Sequence, residues 1–373
     1  MGRLVLHRLL VPLGLLFGSL LFCLGLAEVL LRILDPSFVP SAGGERHYFC
    51  GFDERLGWAP LPNVDGRHER HGFSVLVHQN EFGLRAPDGL SVGRNDPELR
   101  RVVVLGDSYV GGYGVEQDEM FTAPEVQGPA AELLNLGVSG YGTDQECLLY
   151  ESLGTRFEVD EVALVITPYN DIENNLASRQ YGYAKPYFTE GGQGLILHQD
   201  HIREDLSRSF IHGLRTTSRA INFIDHASRT IRNVKLRQKP HGAAVARNRV
   251  IRETDVKPED RAGVDLTLGI VERLRDQVTS RGAEFIVVFV PFKPHVVAGE
   301  SRNHPLVPLL AEGLAAAGID YLEPYALFLS SQTEDASLFN QIDNHFSARG
   351  HELFARLWSD PVLRERTQNA YTR

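Results

Sequence analysis

The 373-residue chain has only three cysteines, Cys23, Cys50 and Cys147, so it is no disulfide scaffold. An oxidising compartment would permit a bridge between Cys50 and Cys147; the alternative is two small buried side chains. An excess of positive charge is also missing. With 48 acidic and 38 basic residues the formal charge is −10, which argues against a nucleic-acid partner, because phosphate contacts need a basic footprint. Clustered metal ligands are lacking as well. His68-Glu69-Arg70-His71 and His198-Gln199-Asp200-His201 each offer two histidines in polar surroundings without further partners, so no metal is expected. No motif calls for a nucleotide or organic cofactor.

Apolar residues are present in ordinary amount, 43% of the chain, but one run is long. Residues 9–31 are almost continuously apolar, broken by Pro12, small residues and Glu28, which is about the length that spans a bilayer core. Arg3 and Arg8 precede the run, and positive charge there favours a cytoplasmic N-terminus with everything after the run outside. A cleavable signal peptide ending at Gly25-Leu26-Ala27 is the competing reading. The apolar stretch runs longer than a signal core, which favours a retained anchor over residues 1–34. Cys23 follows bulky Phe22, unlike a lipid-modified cysteine.

Residues 35–95 are rich in Gly, Pro, His and charge, with only 73–77 resembling a strand, and read as a linker and cap. From 96 to 373 the pattern changes. The apolar runs 102–105, 133–136, 162–166 and 285–290 lack alternation, as parallel strands covered on both faces do. Thr143-Asp144-Gln145-Glu146 has the form of a capping box, and Leu266, Ile270, Leu274 and Val278 mark a helix stopped by Gly282. A helix over 306–316 and a short strand at 319–322 come after it. This alternation predicts a three-layer α/β/α sandwich on a mostly parallel sheet. An insertion at about 171–258 is too long for a bare connection. In it Phe210, Leu214, Ile221, Ile224, Ile231 and Val234 recur at helical spacing beside Arg208, Arg215, Arg219, Arg229, Arg232, Lys235, Arg237 and Lys239. The simpler reading is a helical hairpin packed on the sheet with a solvated basic face; the other is a lid over the active site that touches anionic lipid or glycan.

Gly106-Asp107-Ser108-Tyr109 comes directly after the first run, which delivers a serine to the carboxyl end of a buried strand, where open α/β sheets place their chemistry. A serine opening the next segment would also sit beside unpaired helix-start N–H groups. Leu134-Asn135-Leu136-Gly137-Val138-Ser139-Gly140 ends the second run, Tyr169-Asn170-Asp171 comes after the third, and Asp343-Asn344-His345 lies near the C-terminus. Together, over about residues 101–357, these blocks resemble the SGNH hydrolase superfamily, also called GDSL esterases.

The resemblance implies a flavodoxin-like SGNH sheet and places the family's Ser, Gly, Asn and His at Ser108, Gly140, Asn170 and His345. Acyl transfer needs a nucleophile, a base, an orienting acid and oxyanion donors. Ser108 would attack the carbonyl, His345 would take its proton, and Asp343 would orient the imidazole. The oxyanion would meet the Ser108 and Gly140 backbone N–H groups and the Asn170 side-chain amide, while Asp107 braces the turn and Asp171 caps the next segment. The sequence departs from the family at Tyr109, where Leu is usual, at Pro168, where Gly is usual, and in its Asp-x-His spacing. With Phe346, Ser347 and Gly350, that last block also resembles SGNH-type proteins that O-acetylate exopolysaccharides. The expected function is a membrane-anchored, extracytoplasmic serine esterase acting on O-acyl esters of a glycan or lipid. The alternatives are an O-acyltransferase acting on an envelope or exopolysaccharide, and a non-catalytic glycan-binding or scaffold protein.

Overall fold

The computed structural model describes residues 2–70, 72–128, 131–192, 194–237, 249–333 and 337–371. His71 and Lys239, both singled out in the sequence, lie outside the described residues, as do the side chains of Arg3, Arg8, Arg232, Val234, Lys235 and Arg237. Helix α1 (Gly2–Leu34) opens the chain. Its stretch Leu10–Leu34, 25 residues of hydropathy 2.3, is long and apolar enough to cross a membrane, and none of its most apolar window is buried against protein.

Residues 41–79 depart from the expectation of a single strand. They form β1 (Ser41–Ala42), β2 (Cys50–Asp53), β3 (Gly57–Pro60), β4 (Val64–Arg70) and β5 (Phe73–Gln79). β4 and β5 pair antiparallel over seven residues, β1 adds parallel to β4, and β2 pairs with β3. Val64-Asp65-Gly66-Arg67-His68-Glu69-Arg70 carries little strand propensity, and its pairing with the apolar alternation of β5 is what extends it.

The main sheet holds β6 (Arg101–Gly106), β7 (Glu132–Gly137), β8 (Glu161–Ile166), β13 (Glu284–Phe289) and β14 (Tyr321–Leu322) in the order β14-β13-β8-β6-β7, all parallel. β6 and β8 are buried at every residue, which is why their sequences run apolar without alternation. Side chains pointing to one face, such as Val103, Leu105, Leu164 and Val287, pack with Leu148, Ile270 and Leu310 from three helices. The opposite face, including Val102, Val104 and Val165, packs with Phe328, Phe354 and Trp358. β6, the first strand of this sheet, is interior with β7 on one side and β8 on the other, and the order reverses there, so the crevice at the ends of β6 and β8 is the topological switch point of a flavodoxin-like sheet.

The short helices α2 (Pro124–Gln127) and α3 (Thr143–Ser152) precede β8, and α4 (Pro168–Asn175) comes after it. The helix after β7 begins differently from the expected capping box: Gly142 is its N-cap, and Glu146 is buried with both carboxyl oxygens unpartnered. The insertion is not purely helical. Two antiparallel hairpins come first, β9 (Arg179–Gln180) with β10 (Tyr183–Ala184) and β11 (Tyr187–Gly191) with β12 (Gly194–His198). Then come α5 (Leu206–Thr217) and α6 (Arg219–Arg237), which pack on each other, on the end of α1 and on β1 instead of on the main sheet. Cys50 and Cys147 are buried and unpaired.

Candidate active site

Ser108 lies two residues past β6, Gly140 three past β7 and Asn170 four past β8 in the first turn of α4, so all three sit at one end of neighbouring strands. Residues 107–115 form turns, not the expected helix. Gly112 and Gly114 have φ of +69° and +86°, which a regular helix does not tolerate. The buried guanidinium of Arg85, from the cap, takes up the freed carbonyls, donating to Gly111 O at 3.2 Å and to Val115 O at 2.6 Å. Ser108 is therefore held by a braced turn rather than by the first turn of a helix.

Ser108 Oγ lies 2.7 Å from His345 Nε2. Asp343 Oδ1 lies 3.1 Å from Nδ1 of the same ring, off the N–H axis, and accepts the His345 backbone N–H at 3.1 Å. The loop that carries both residues is closed by a bridge between Phe339 and Phe346 and by the Asn340 N–H donating to His345 O at 2.7 Å. Lys293, just past β13, donates to Asn340 O at 2.6 Å and to Asp343 O at 2.7 Å, pinning the loop to the sheet. Burial acts to raise the Asp343 carboxyl, but the bond to His345, its charge and that of Lys293 prevail and hold it below the ordinary range. Burial lowers Lys293 against the opposing pull of Asp343.

Two tyrosines fix the imidazole. Tyr113 stacks on it, centroids 4.3 Å apart at 26°, and Tyr109 packs on it at 5.0 Å. The Tyr109 hydroxyl meets Tyr169 OH at 2.8 Å and donates to Asn344 O, so Tyr109 ties the serine turn, the start of α4 and the histidine loop together.

Asn170 donates from Nδ2 to Asp107 Oδ2 at 2.8 Å, and Asp107 Oδ1 accepts the Tyr109 N–H at 2.9 Å. Asp107 thus braces the turn and aims the amide. Pro168 starts α4 without strain, since the first helical position needs no N–H, and Asp171 accepts the Thr167 N–H at 2.7 Å. Burial raises the Asp107 carboxyl against the Tyr109 N–H, the charge of His345 and the Asn170 amide. Behind it, Asp144, Glu146 and Asp171 are fully buried with one buried cation, Lys185, which pairs with Asp144. Burial, then the charges of Asp107 and Asp144, drives Glu146 well above its ordinary range; burial and then Glu146 do the same to Asp171.

Gly140 has φ of +80°, and a Cβ there would sit 2.5 Å from both the Arg46 guanidinium and the Tyr181 ring. Arg46 donates to Ser139 O at 2.6 Å and lies 3.7 Å from the Tyr181 ring centroid. The insertion thus reaches the Gly140 loop through Tyr181. Beyond Arg46 opens a cavity of about 400 Å³ whose lining includes Trp58, Arg179, Tyr183, Arg203 and Arg208.

No protein-family model matches the chain, and no curated protein matches it significantly. Solved structures similar to it include a putative lipolytic protein of the G-D-S-L family from Desulfitobacterium hafniense, at 11% identity over 69% of this chain and 97% of that one, TM-score 0.35. A lipase/acylhydrolase from Enterococcus faecalis is 14% identical over 72% and 96%, TM-score 0.35. An acetylxylan esterase from Geobacillus stearothermophilus is 13% identical over 72% and 94%, TM-score 0.35.

Proposed function

We propose that the chain is a membrane-anchored serine esterase that cleaves carboxylic O-acyl esters on the extracytoplasmic side. The observation that carries this reading is the 2.7 Å contact of Ser108 Oγ with His345 Nε2, with Asp343 on the ring's other nitrogen. Ser108 Oγ adds to the ester carbonyl as Nε2 takes its proton; the tetrahedral oxyanion is met by the Ser108 and Gly140 N–H groups and the second hydrogen of the Asn170 amide. Collapse expels the alcohol, which receives the proton from Nε2, and leaves an acyl-serine. Water, deprotonated by the same nitrogen, then releases the acid. Asp343 keeps the Nδ1 proton in place and stabilises the imidazolium. The apolar run of α1, with Arg3 and Arg8 ahead of it in the same helix, is the anchor and sets the sidedness.

A second reading, acyl transfer from Ser108 to a polysaccharide hydroxyl, is favoured by the cavity beyond Arg46, because the aromatic faces of Trp58 and Tyr183 beside arginines, Glu204 and Asp205 suit a saccharide acceptor. The deciding experiment labels the full chain with a fluorophosphonate, then measures release from acetyl and long-chain 4-nitrophenyl esters with and without added polysaccharide. Labelling at Ser108 with turnover in water supports the esterase. Turnover that needs the polysaccharide supports the transferase, and absence of both labelling and turnover refutes the two together.

A further inference from the structure

Helices α5 and α6 are amphipathic the wrong way round for water. Their polar sides face the protein. Asn222, 2% exposed, accepts the Ser41 N–H at 2.9 Å and donates to Ser41 O at 3.1 Å; Arg229 donates to the same carbonyl at 2.7 Å. His226 Nδ1 lies 2.9 Å from Glu69, and on α5 His212 meets Tyr48 O at 3.3 Å while Arg208 donates to Gly182 O at 3.1 Å. The apolar sides point outward: Leu206, Phe210, Ile211, Phe223, Ile224 and Ile231 are between 47% and 73% exposed. A two-helix element in water buries these residues against its neighbours and leaves the arginines out, so the surface these helices face is not water.

The same helices are clamped to the end of α1. Glu28 accepts the Ser218 hydroxyl at 2.9 Å and the Ala220 N–H at 3.0 Å, at the start of α6. Arg32 donates to Thr217 O at 3.1 Å, the end of α5, and pairs with Glu28 at 2.7 Å. In return Arg219 donates to Leu31 O at 3.4 Å and Pro36 O at 3.2 Å, closing the end of α1. Each of the three helix ends thus receives side chains from another. The 25 residues Leu10–Leu34 extend about 37 Å at 1.5 Å each, roughly 7 Å more than a hydrocarbon core of about 30 Å. The surplus, about five residues, falls in the headgroup layer if the span begins at its N-terminal end; Arg32 lies in that stretch and Glu28 about one turn before Arg32, at its edge, and these two hold the α5–α6 junction.

Resting on the reading of α1 as a membrane span, we propose that α5 and α6 lie in the headgroup layer of the leaflet from which α1 emerges, with their outward apolar side chains in the acyl boundary. The partner is the bilayer itself. Helices of this kind sink about 5–10 Å into that boundary, and three clamped helix ends give the catalytic domain a fixed height and tilt over the membrane instead of a tether.

The test uses the full chain in vesicles of phosphatidylethanolamine and phosphatidylglycerol. Cys23→Ser removes the exposed thiol, and the buried Cys50 and Cys147 remain. Single cysteines at Phe210→Cys, Phe223→Cys or Ile224→Cys carry a bimane dye, with Leu20→Cys as the span control and Glu312→Cys as the water control. Lipid brominated high on its acyl chains should remove most emission from 210, 223 and 224 and leave 312 unchanged. Emission retained at all three hairpin positions while lipid brominated near the chain ends quenches 20 overturns the hairpin proposal and leaves the anchor standing. Retention at 20 as well removes the anchor and the proposal with it. Three separate hairpin sites keep the test decisive if one variant misfolds.

Discussion

The sheet and the α5–α6 hairpin solve opposite problems with the same twenty residue types. In β6 and β8 every side chain is buried, apolar chains fill both layers, and polar groups survive only at the strand ends, where each of Ser108, Asp107 and Asn170 has a hydrogen-bond partner. In α5 and α6 the polar groups make the protein contacts and the apolar groups are left outside. Polarity alone does not say which way a face turns; what it meets does.

Substitutions in the two regions should separate them by size of effect. The largest is expected at the strand ends without loss of fold: Ser108→Ala or His345→Ala should lower ester turnover by about 10⁴-fold or more, as removal of a triad member does, with an unchanged thermal melt. Asn170→Ala should cost about 3–4 kcal/mol of transition-state stabilisation, read as kcat on 4-nitrophenyl acetate, and less than the serine change because two backbone donors remain. In the core, Leu164→Ala removes a fully buried side chain and should destabilise by about 2–5 kcal/mol in urea titration.

Glu146→Gln probes the buried acids. Its carboxyl is held far above the ordinary range, so below the unfolded value of about 4.3 both states are protonated and no penalty arises. As pH rises past that value the unfolded chain ionises while the native one stays protonated, and stability falls until the folded group titrates. Melting temperature should therefore fall in the wild type as pH rises above the ordinary carboxylate range, and fall less in the variant. The smallest effect is expected on the hairpin: Phe210→Ala should change stability in detergent by no more than about 0.5 kcal/mol. A core-sized loss there would show that the residue is packed against protein.

The strands of the main sheet were legible because burial on both faces leaves an unbroken apolar run. The cap strands were not, since β4 is polar and exists through its partner. Ser108, Asn170 and His345 could be picked out from strand ends and from the family resemblance, and the structure brings Ser108, His345 and Asp343 into contact. Tyr113, Tyr109, Lys293 and Arg46 were missed as site residues, because stacking on His345 or pinning a loop depends on segments that meet only after folding. Lys293 carried one signal, its place just past the strand 285–290. For α5 and α6 periodicity revealed the apolar stripe but not its outward aim. Their contacts are to α1 and β1, so the expected packing on the sheet gave way to the polar bonds at Ser41 and Glu28.

The bond between Ser108 and His345 joins positions 237 residues apart, and the edge strand β14 is in turn held by the segment near Gln368, through a bridge to Leu322 and the Asn369 N–H donating to Tyr321 O at 2.8 Å. A contact of such sequence separation requires both ends to be synthesised and the entropy of closing the long intervening loop to be overcome. On the ribosome, Ser108 would emerge long before His345. The nascent protein would carry Ser108 without its 2.7 Å partner, and any chemistry that needs the pair would arise only where synthesis and folding are complete.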